Sequence, residues 1–455
     1  MKANITITAN RAARRAAARG KTLKTVSAFT ALALSGVLCA GCIMGAAPAS
    51  STGSSSGSSS GSATSAVTTD GTVVAASGMV TLLDVSDQFS NRDLTQAADL
   101  TGATRITVVT GQDVTITEEG IYVISGSATD VTITIEAPDD AKVQLVLDGL
   151  AVTNTDMPVI YALTADKVFV TTLAGTTSTL QVTGTFAQGS AVIQSKSDLT
   201  LNGEGTLAIT SSDKAVKCSD DLKVTGGTYV IDAADDGLAA NESIRISGGT
   251  FTIKAGDDAV KAENDDDDTE GYIYISGGTF RIDSADDGIR ATTFMVIDGG
   301  DITVTAVEGL EATYLQLNGG NITISASDDG INASEKSSAY TPNVEINGGN
   351  ISITMGAGDT DAVDSNGNIY ITGGTVTISA QSAFDWDGEA VLSGGTVIVN
   401  GSEVTSLSNQ FGGMGPGDGM GGWGNPGDMG QAPGGDGGFG GGGFGGPGGG
   451  RGGRW

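Results

Sequence analysis

The sequence predicts an all-β chain wound as a right-handed parallel β-helix, a solenoid of coils of about 22 residues with three short strands per coil. Three observations carry this reading. A double glycine recurs with its second member at Gly227, Gly249, Gly278, Gly300, Gly320, Gly349, Gly374 and Gly395, and Gly205 in NGEGT extends the series backward. The intervals are 22, 22, 29, 22, 20, 29, 25 and 21 residues, the longer ones carrying insertions. Each unit also reads as three alternating segments, I-x-I-x-G-G, x-F-x-I-x-A and x-D-D-G-I-x-A, separated by turn residues. The leucine pattern of leucine-rich repeats, which share this period, is absent.

In the unit YISGGTFRIDSADDGIRA and the residue before it, alternation points Ile273, Ile275, Phe280, Ile282, Ile289 and Ala291 inward. The glycines supply tight or left-handed backbone at the corners. One coil cannot bury its own apolar edge, so stability must come from stacking on its neighbours.

Taken in order, residues 1–42 read as a signal peptide. Lys2, Arg11, Arg14, Arg15, Arg19, Lys21 and Lys24 precede an apolar run, Val26 to Leu38, that is too short for an ordinary membrane span. Ala40-Gly41-Cys42 resembles a bacterial lipobox, with Cys39 where such boxes usually carry Leu. Cys42 is thus the candidate lipidation site, and plain secretion is the alternative. Either places the chain at the bacterial cell surface, lipid-anchored or secreted. Residues 43–77 form a Ser/Gly-rich tether. Residues 78–113 read as an N-terminal cap, with DVSDQFSNRDLTQAADL blunting the open edge of the first coil. Residues 114–410 carry the β-helix, less regular before about Leu201. Residues 411–455 are a Gly-rich tail that cannot bury a core and is expected to be a disordered spacer.

The formal charge is −30, from 53 acidic and 23 basic residues, and histidine is absent. This excludes nucleic acid as a partner and direct adhesion to anionic membranes, leaving a lipid anchor as the only membrane link. It also removes the usual general base and the commonest zinc ligand. The single cysteine of the body, Cys218, occupies a slot where other units carry Ala, and reads as a small buried apolar residue.

The acids are not scattered. Residues one period apart sit above one another, so Asp235, Asp236, Asp257, Asp258, Asp286, Asp287, Asp328 and Asp329 form a column along one corner. Asp213 begins it and Glu308 fills the coil that lacks the pair. Near the C-terminal end the column becomes GDTDAVDSNG, with Asp359, Asp361 and Asp364, followed by Asp385 and Asp387. Two carboxylates about 5 Å apart repel by about 3 kcal/mol at an effective dielectric of 20. Lys214, Lys217, Lys254 and Lys261 cluster near the upper part and cannot neutralise the lower. An all-oxygen array suits a hard cation, and calcium, which accepts about 6–8 oxygens, is the expected cofactor at one to three sites. The alternative is that Asp-Asp-Gly is simply good corner chemistry. The run Glu263 to Gly271 departs from an EF-hand and reads as a solvated loop.

From about Phe89 to Val399 the chain resembles bacterial carbohydrate-binding parallel β-helix lipoproteins, similar in fold to calcium-dependent polysaccharide lyases. The matching stretches are FSNRDL, GIYVISG, SKSDLTLNGEGTLAI, CSDDLKVTGG, GDDAVKAENDDDD, GYIYISGGTF, SDDGINA and DSNGNIYITGG. The resemblance implies binding of cellulose and of acidic pectin-type polysaccharide, with calcium on the ladder pairs and on Asp361 and Asp364. Ala259 in GDDAVKA and the sequence GDTDAVD depart from the family's usual Gly-containing turns.

The outward middle position of I-x-I offers a second candidate surface. Lys223, Arg245, Tyr274 and Tyr370 fall in that row and suit contact with sugar carboxylates and sugar rings. Two other functions are compatible with the residues. One is a polysaccharide lyase, with Lys261 or Lys217 as base beside a cation. The other is a structural surface stalk or adhesin, which gives the acid ladder no role.

Overall fold

The computed structural model describes residues 5–9, 81–264, 266–357 and 360–409, all within one compact unit spanning Met1–Phe411. The tether, the lipobox with Cys42, the Gly-rich tail and Asp359 lie outside the described residues.

The described chain is all-β, with a single four-residue α-helix, Asn91–Leu94, and one short 3-10 turn. Its strands build two long sheets, of 13 and 24 strands, and almost every neighbour is parallel. The regular part repeats one rule. Asp221–Val224 pairs with Ser243–Ile246, Thr228–Ala233 with Thr250–Ala255, and Leu238–Ala240 with Val260–Ala262, so each strand lies on the one a coil earlier. The less regular coils obey it too, with register shifts at Ser125/Ser127 and Ile135/Glu136.

The register puts like on like, and this creates the core. Ile244, Ile273 and Met295 are consecutive partners, as are Phe251, Phe280 and Ile302, and all are at most 2% exposed. The rings of Tyr229, Phe251 and Phe280 stack, with centroids 5.2 and 4.6 Å apart. The six residues expected to face inward around Tyr274 are all buried, and so is Cys218.

The double glycines do two jobs at the corner. Gly278 sits at φ +108°, a conformation that L side chains rarely adopt. A Cβ on its neighbour Gly277 would lie 2.8 Å from the carbonyl oxygen of Ser247, one coil away. Gly205 breaks the series: the positive φ in NGEGT belongs to Gly203, at +112°.

Within the stretch expected as an N-terminal cap, the segment before residue 97 runs across the outer face of the larger sheet, where its polar and aromatic groups find partners. Gln96 donates to the carbonyl of Thr225 at 3.1 Å, and Thr200 donates to Asp93 at 2.7 Å. Phe89 lies 6.3 Å from the ring of Tyr274. Thr104–Thr107 and Gln112–Ile116 already belong to the sheets. Ile5–Ala9, inside the stretch read as a signal peptide, pairs antiparallel with Gln112–Ile116. At the other end, Ser402–Val404 folds back antiparallel on Thr396–Val399.

Candidate functional site

The corner acids stack because the backbone beneath them does. The amide of Gly237 donates to the carbonyl of Asp258 at 3.0 Å, that of Ala259 to Asp287 at 3.0 Å, and that of Gly288 to Glu308 at 2.8 Å. Gly309 continues to Asp329 at 2.9 Å and Gly330 to Asp361 at 3.0 Å. An inner column therefore runs Lys214, Asp236, Asp258, Asp287, Glu308, Asp329, Asp361. The residues immediately before form a more exposed outer column, in which Asp235, Asp257, Asp286 and Asp328 are half-buried or exposed.

A third column, missed in the sequence reading, stands beside it on the short strands. Lys217, Ala239, Lys261, Arg290, Glu311, Asn332, Asp364 and Asp385 are successive register partners. They occupy the outward position of each I-x-A segment, a signal that was legible but not followed. Asp361 and Asp364, expected together, thus belong to different columns.

Charge is matched at the top of this array and unmatched at the bottom. Lys214 bridges Asp235, at 2.8 Å, and Asp236. Lys261 lies 3.0 Å from Asp258 and 3.6 Å from Asp257. In the middle, Arg290 reaches Asp258, Asp287 and Glu311 at 3.6, 3.8 and 3.6 Å, and Lys336 contacts Glu311 at 2.7 Å. Among the described residues no lysine or arginine forms an ion pair with Asp328, Asp329, Asp364 or Asp385.

Proton affinities follow that gradient. Burial, then a hydrogen bond donated to the Glu311 carboxylate and the charge of Asp258, keeps a proton on Asp287. Glu308 is pushed up to about 7 by burial and by Glu311. Asp329 is also raised to about 7, by burial and by Asp364, Asp328 and Asp361. Asp364 is raised to about 6, by burial and by Asp385 and Asp361. Burial and neighbouring carboxylates thus outweigh Arg290 at Asp287, and among the described residues no ion pair opposes them at Asp329 and Asp364.

Three groups bring carboxylate oxygens within 4.8 Å of one another: Asp235, Asp236 and Asp257; Asp257, Asp258 and Asp286; and Asp287, Glu308 and Glu311. An all-carboxylate donor set of this kind fits a hard cation such as calcium. Each group also carries a lysine ammonium, Lys214 on the first, Lys261 on the second and Lys336 on Glu311 of the third, where Glu308 forms no ion pair among the described residues.

The two lysines considered as bases sit beside the acids, but Lys261 is the wrong protonation state for the task. Burial opposes its charge, yet the charge and hydrogen bond of Asp258 outweigh that and drive its proton affinity above the ordinary lysine value. A firmly protonated amine cannot abstract a proton. Lys217 donates to Asn241 Oδ1 at 2.5 Å.

The proposed sugar strip is corrected. Lys223, Arg245, Tyr274 and Tyr370 do fall in one row, through Val296, Gln316 and Glu345. However, Lys223 is 9% and Tyr274 5% exposed, because the N-terminal segment lies over this part of the sheet. Arg245 is held by Asp221 at 2.8 Å and stacks 5.2 Å over Tyr272. Only Tyr370, half-buried and donating to Glu389 at 3.4 Å, remains outside the covered part.

Fold and site together define an all-β protein of stacked parallel strands carrying a continuous acidic column. The chain belongs to the family described as carbohydrate-binding domain-containing protein, whose sequence profile matches residues 110–315 and 307–410. A carbohydrate-binding domain-containing protein of Acetivibrio thermocellus is 32% identical over 127 residues, 26% of this chain and 44% of that relative, so the match spans less than half of the relative's length. Among solved structures, a polysaccharide lyase-like protein from C. thermocellum, a gadolinium derivative, matches 65% of this chain and 94% of its own at 21% identity, with a TM-score of 0.28.

Proposed function

We propose that this chain is a right-handed parallel β-helix that binds acidic, pectin-like polysaccharide at the bacterial cell surface, using calcium held on the lower acid ladder. The observation that carries the reading is the run of stacked acids at Asp328, Asp329, Asp364 and Asp385 without a basic partner. Asp287, Glu308 and Glu311, at the head of this stretch, would hold one ion in competition with Arg290 and Lys336, and Asp329 with Asp364, whose charge raises its proton affinity, would contribute to another. Bound there, a divalent ion supplies positive charge that both the protein's and the glycan's carboxylates can share. The residues themselves keep these oxygens in line along the stack, so an extended chain meets them at successive coils. Family membership supports carbohydrate as the partner class. The contacts of Lys261 with Asp257, Asp258 and Glu263 support charge pairing as its role rather than that of a base. The reading extends to an anchor through lipid on Cys42, with the Ser/Gly-rich tether as spacer.

Retention on polygalacturonate and on cellulose, each with calcium and with chelator, tests it. Calcium-dependent retention on polygalacturonate is expected. Retention that ignores chelator removes the role of calcium, and failure to bind either polymer removes the glycan reading.

A further inference from the structure

The segment that crosses the outer face of the larger sheet leaves a groove of about 440 Å³ between itself and the first coils, with Arg92, Asp99, Glu119, Lys142 and Gln144 in its lining. That volume lies in the range of small-ligand sites. The guanidinium carbon of Arg92 sits 4.5 Å over the ring of Phe169, which is 1% exposed, so the ring holds the head group in place. Among the described residues this guanidinium forms no ion pair and no hydrogen bond, although the chain carries a net charge of −30. The charges around it are already answered. Asp93 is turned to Lys167 at 2.8 Å, and Lys142 pairs with Asp166 at 2.7 Å. Glu119 accepts from the Lys142 amide at 3.2 Å, and Asp99 from the Thr101 amide at 2.9 Å. Arg92 is thus the uncompensated charge of the groove, with its planar fork of donors unspent.

Gln144 supplies the opposite requirement, and a chain of hydrogen bonds fixes which of its atoms does so. Asn202 Nδ2 donates to the carbonyls of Asp93 and Thr95 at 3.3 and 3.1 Å, so its Oδ1 accepts from the Thr171 hydroxyl at 2.6 Å. Thr171 Oγ1 in turn accepts from Gln144 Nε2 at 2.9 Å. Gln144 is 8% exposed, and among the described residues its Oε1 is left without a donor. A nearly buried amide oxygen of this kind calls for one. A bare anion would answer Arg92 and leave Gln144 unmet, and a neutral sugar would do the reverse.

We propose that this groove is a subsite for an acidic sugar, whose carboxylate accepts two N–H bonds from Arg92 while a ring hydroxyl donates to Gln144 Oε1. The subsite rests on the carbohydrate reading but not on calcium, and it lies on the outer sheet face rather than on the acid corner. Arg92 follows directly on the turn that Ser90 and Asp93 cap, so the contacts that fasten Asp93 to Lys167 and Thr200 also set the position of the guanidinium.

The test uses the full chain in chelator, which separates this subsite from any calcium bridge. Saturation-transfer NMR and titration compare digalacturonate with neutral galactobiose on the wild type and on Arg92→Met, a change that keeps an apolar stem over Phe169 and removes the donors. Digalacturonate is expected to bind the wild type, galactobiose at least about tenfold more weakly, and Arg92→Met to lose at least about tenfold in digalacturonate affinity with its melting temperature retained. If Arg92→Met does not fold, Arg92→Lys decides, because it keeps the charge and lacks the planar fork: a loss of about fivefold or more supports the two-bond contact, and unchanged affinity overturns it. Equal binding of the two sugars, or full digalacturonate binding by a folded Arg92→Met, also overturns the subsite. Calcium-dependent retention on polygalacturonate would persist in that case and leave the acid-ladder reading standing. Loss of that retention with Arg92-dependent binding intact would remove the ladder reading alone, and failure of both would remove the carbohydrate reading itself.

Discussion

Asp287 donates its backbone amide to Asp258 Oδ1 at 2.9 Å across 29 residues of sequence, and both side chains are buried one coil apart. Stacking thus forces two acids into a shared, poorly solvated corner, and Arg290 is the group that answers them. Replacing Arg290 with Met should leave Asp287 without a basic partner, while Lys261 stays on Asp258 and Lys336 on Glu311. A loss of about 1–3 kcal/mol is expected in chelator, the cost of leaving buried polar groups short of a partner. Denaturant melts should show that loss, and added calcium should restore part of it.

Stability should also depend on pH in a defined direction. Glu308 and Asp329 are raised to about 7 and Asp364 to about 6 in the fold. The folded chain therefore holds protons that the unfolded chain releases near its ordinary carboxylate range of about 4. Their stabilising contribution is complete below that range and is lost as pH rises through about 6 to 7. Melting temperatures in chelator should fall across this window, and excess calcium should flatten the fall. A chelator profile that rises across the window contradicts these proton affinities.

The segment across the outer sheet face depends on one buried acid. Asp93 caps its own helix through Ser90 and meets Lys167 at 2.8 Å and Thr200 at 2.7 Å. Burial opposes its charge, but Lys167 and Thr200 hold it at about 2. Asp93→Ala leaves Lys167 without its counter-charge and should cost about 3–5 kcal/mol. Limited proteolysis should then cut within residues 81–100 before the coils open. Cleavage no faster than in the wild type would show that the segment is held by other contacts.

The parts that sequence revealed are those that repeat. The inward residues around Phe280, the positive φ at Gly278 and the Asp236–Asp258–Asp287 column all follow from one period and one alternation. What it concealed depends on contacts made once. Asp93 and Gln96 reach Thr200 and Thr225 more than a hundred residues away, and nothing in the period marks those partners. That is why Lys223 and Tyr274 looked available. The Lys217-to-Asp385 column repeats as clearly as the acids do, but its chemistry changes from basic to acidic down the stack, so no common residue type announced it.

The core should be sensitive at the aromatic stack. Phe251 lies between Tyr229 and Phe280 and is 1% exposed. Phe251→Ala should cost about 3–5 kcal/mol, the range for a large buried side chain. Because coils are stabilised by their neighbours, chemical denaturation should also become less cooperative. Loss below about 1 kcal/mol would mean that the two flanking rings collapse into the gap.

Calorimetric titration of the full chain with calcium, in wild type and in an Asp329→Asn, Asp364→Asn double variant, is the most direct test of the central claim. Saturable binding by the wild type is expected, with proton release near neutral pH and with at least one site missing from the double variant. No binding, or an isotherm that the two substitutions leave unchanged, would contradict a cation-holding role for the lower ladder.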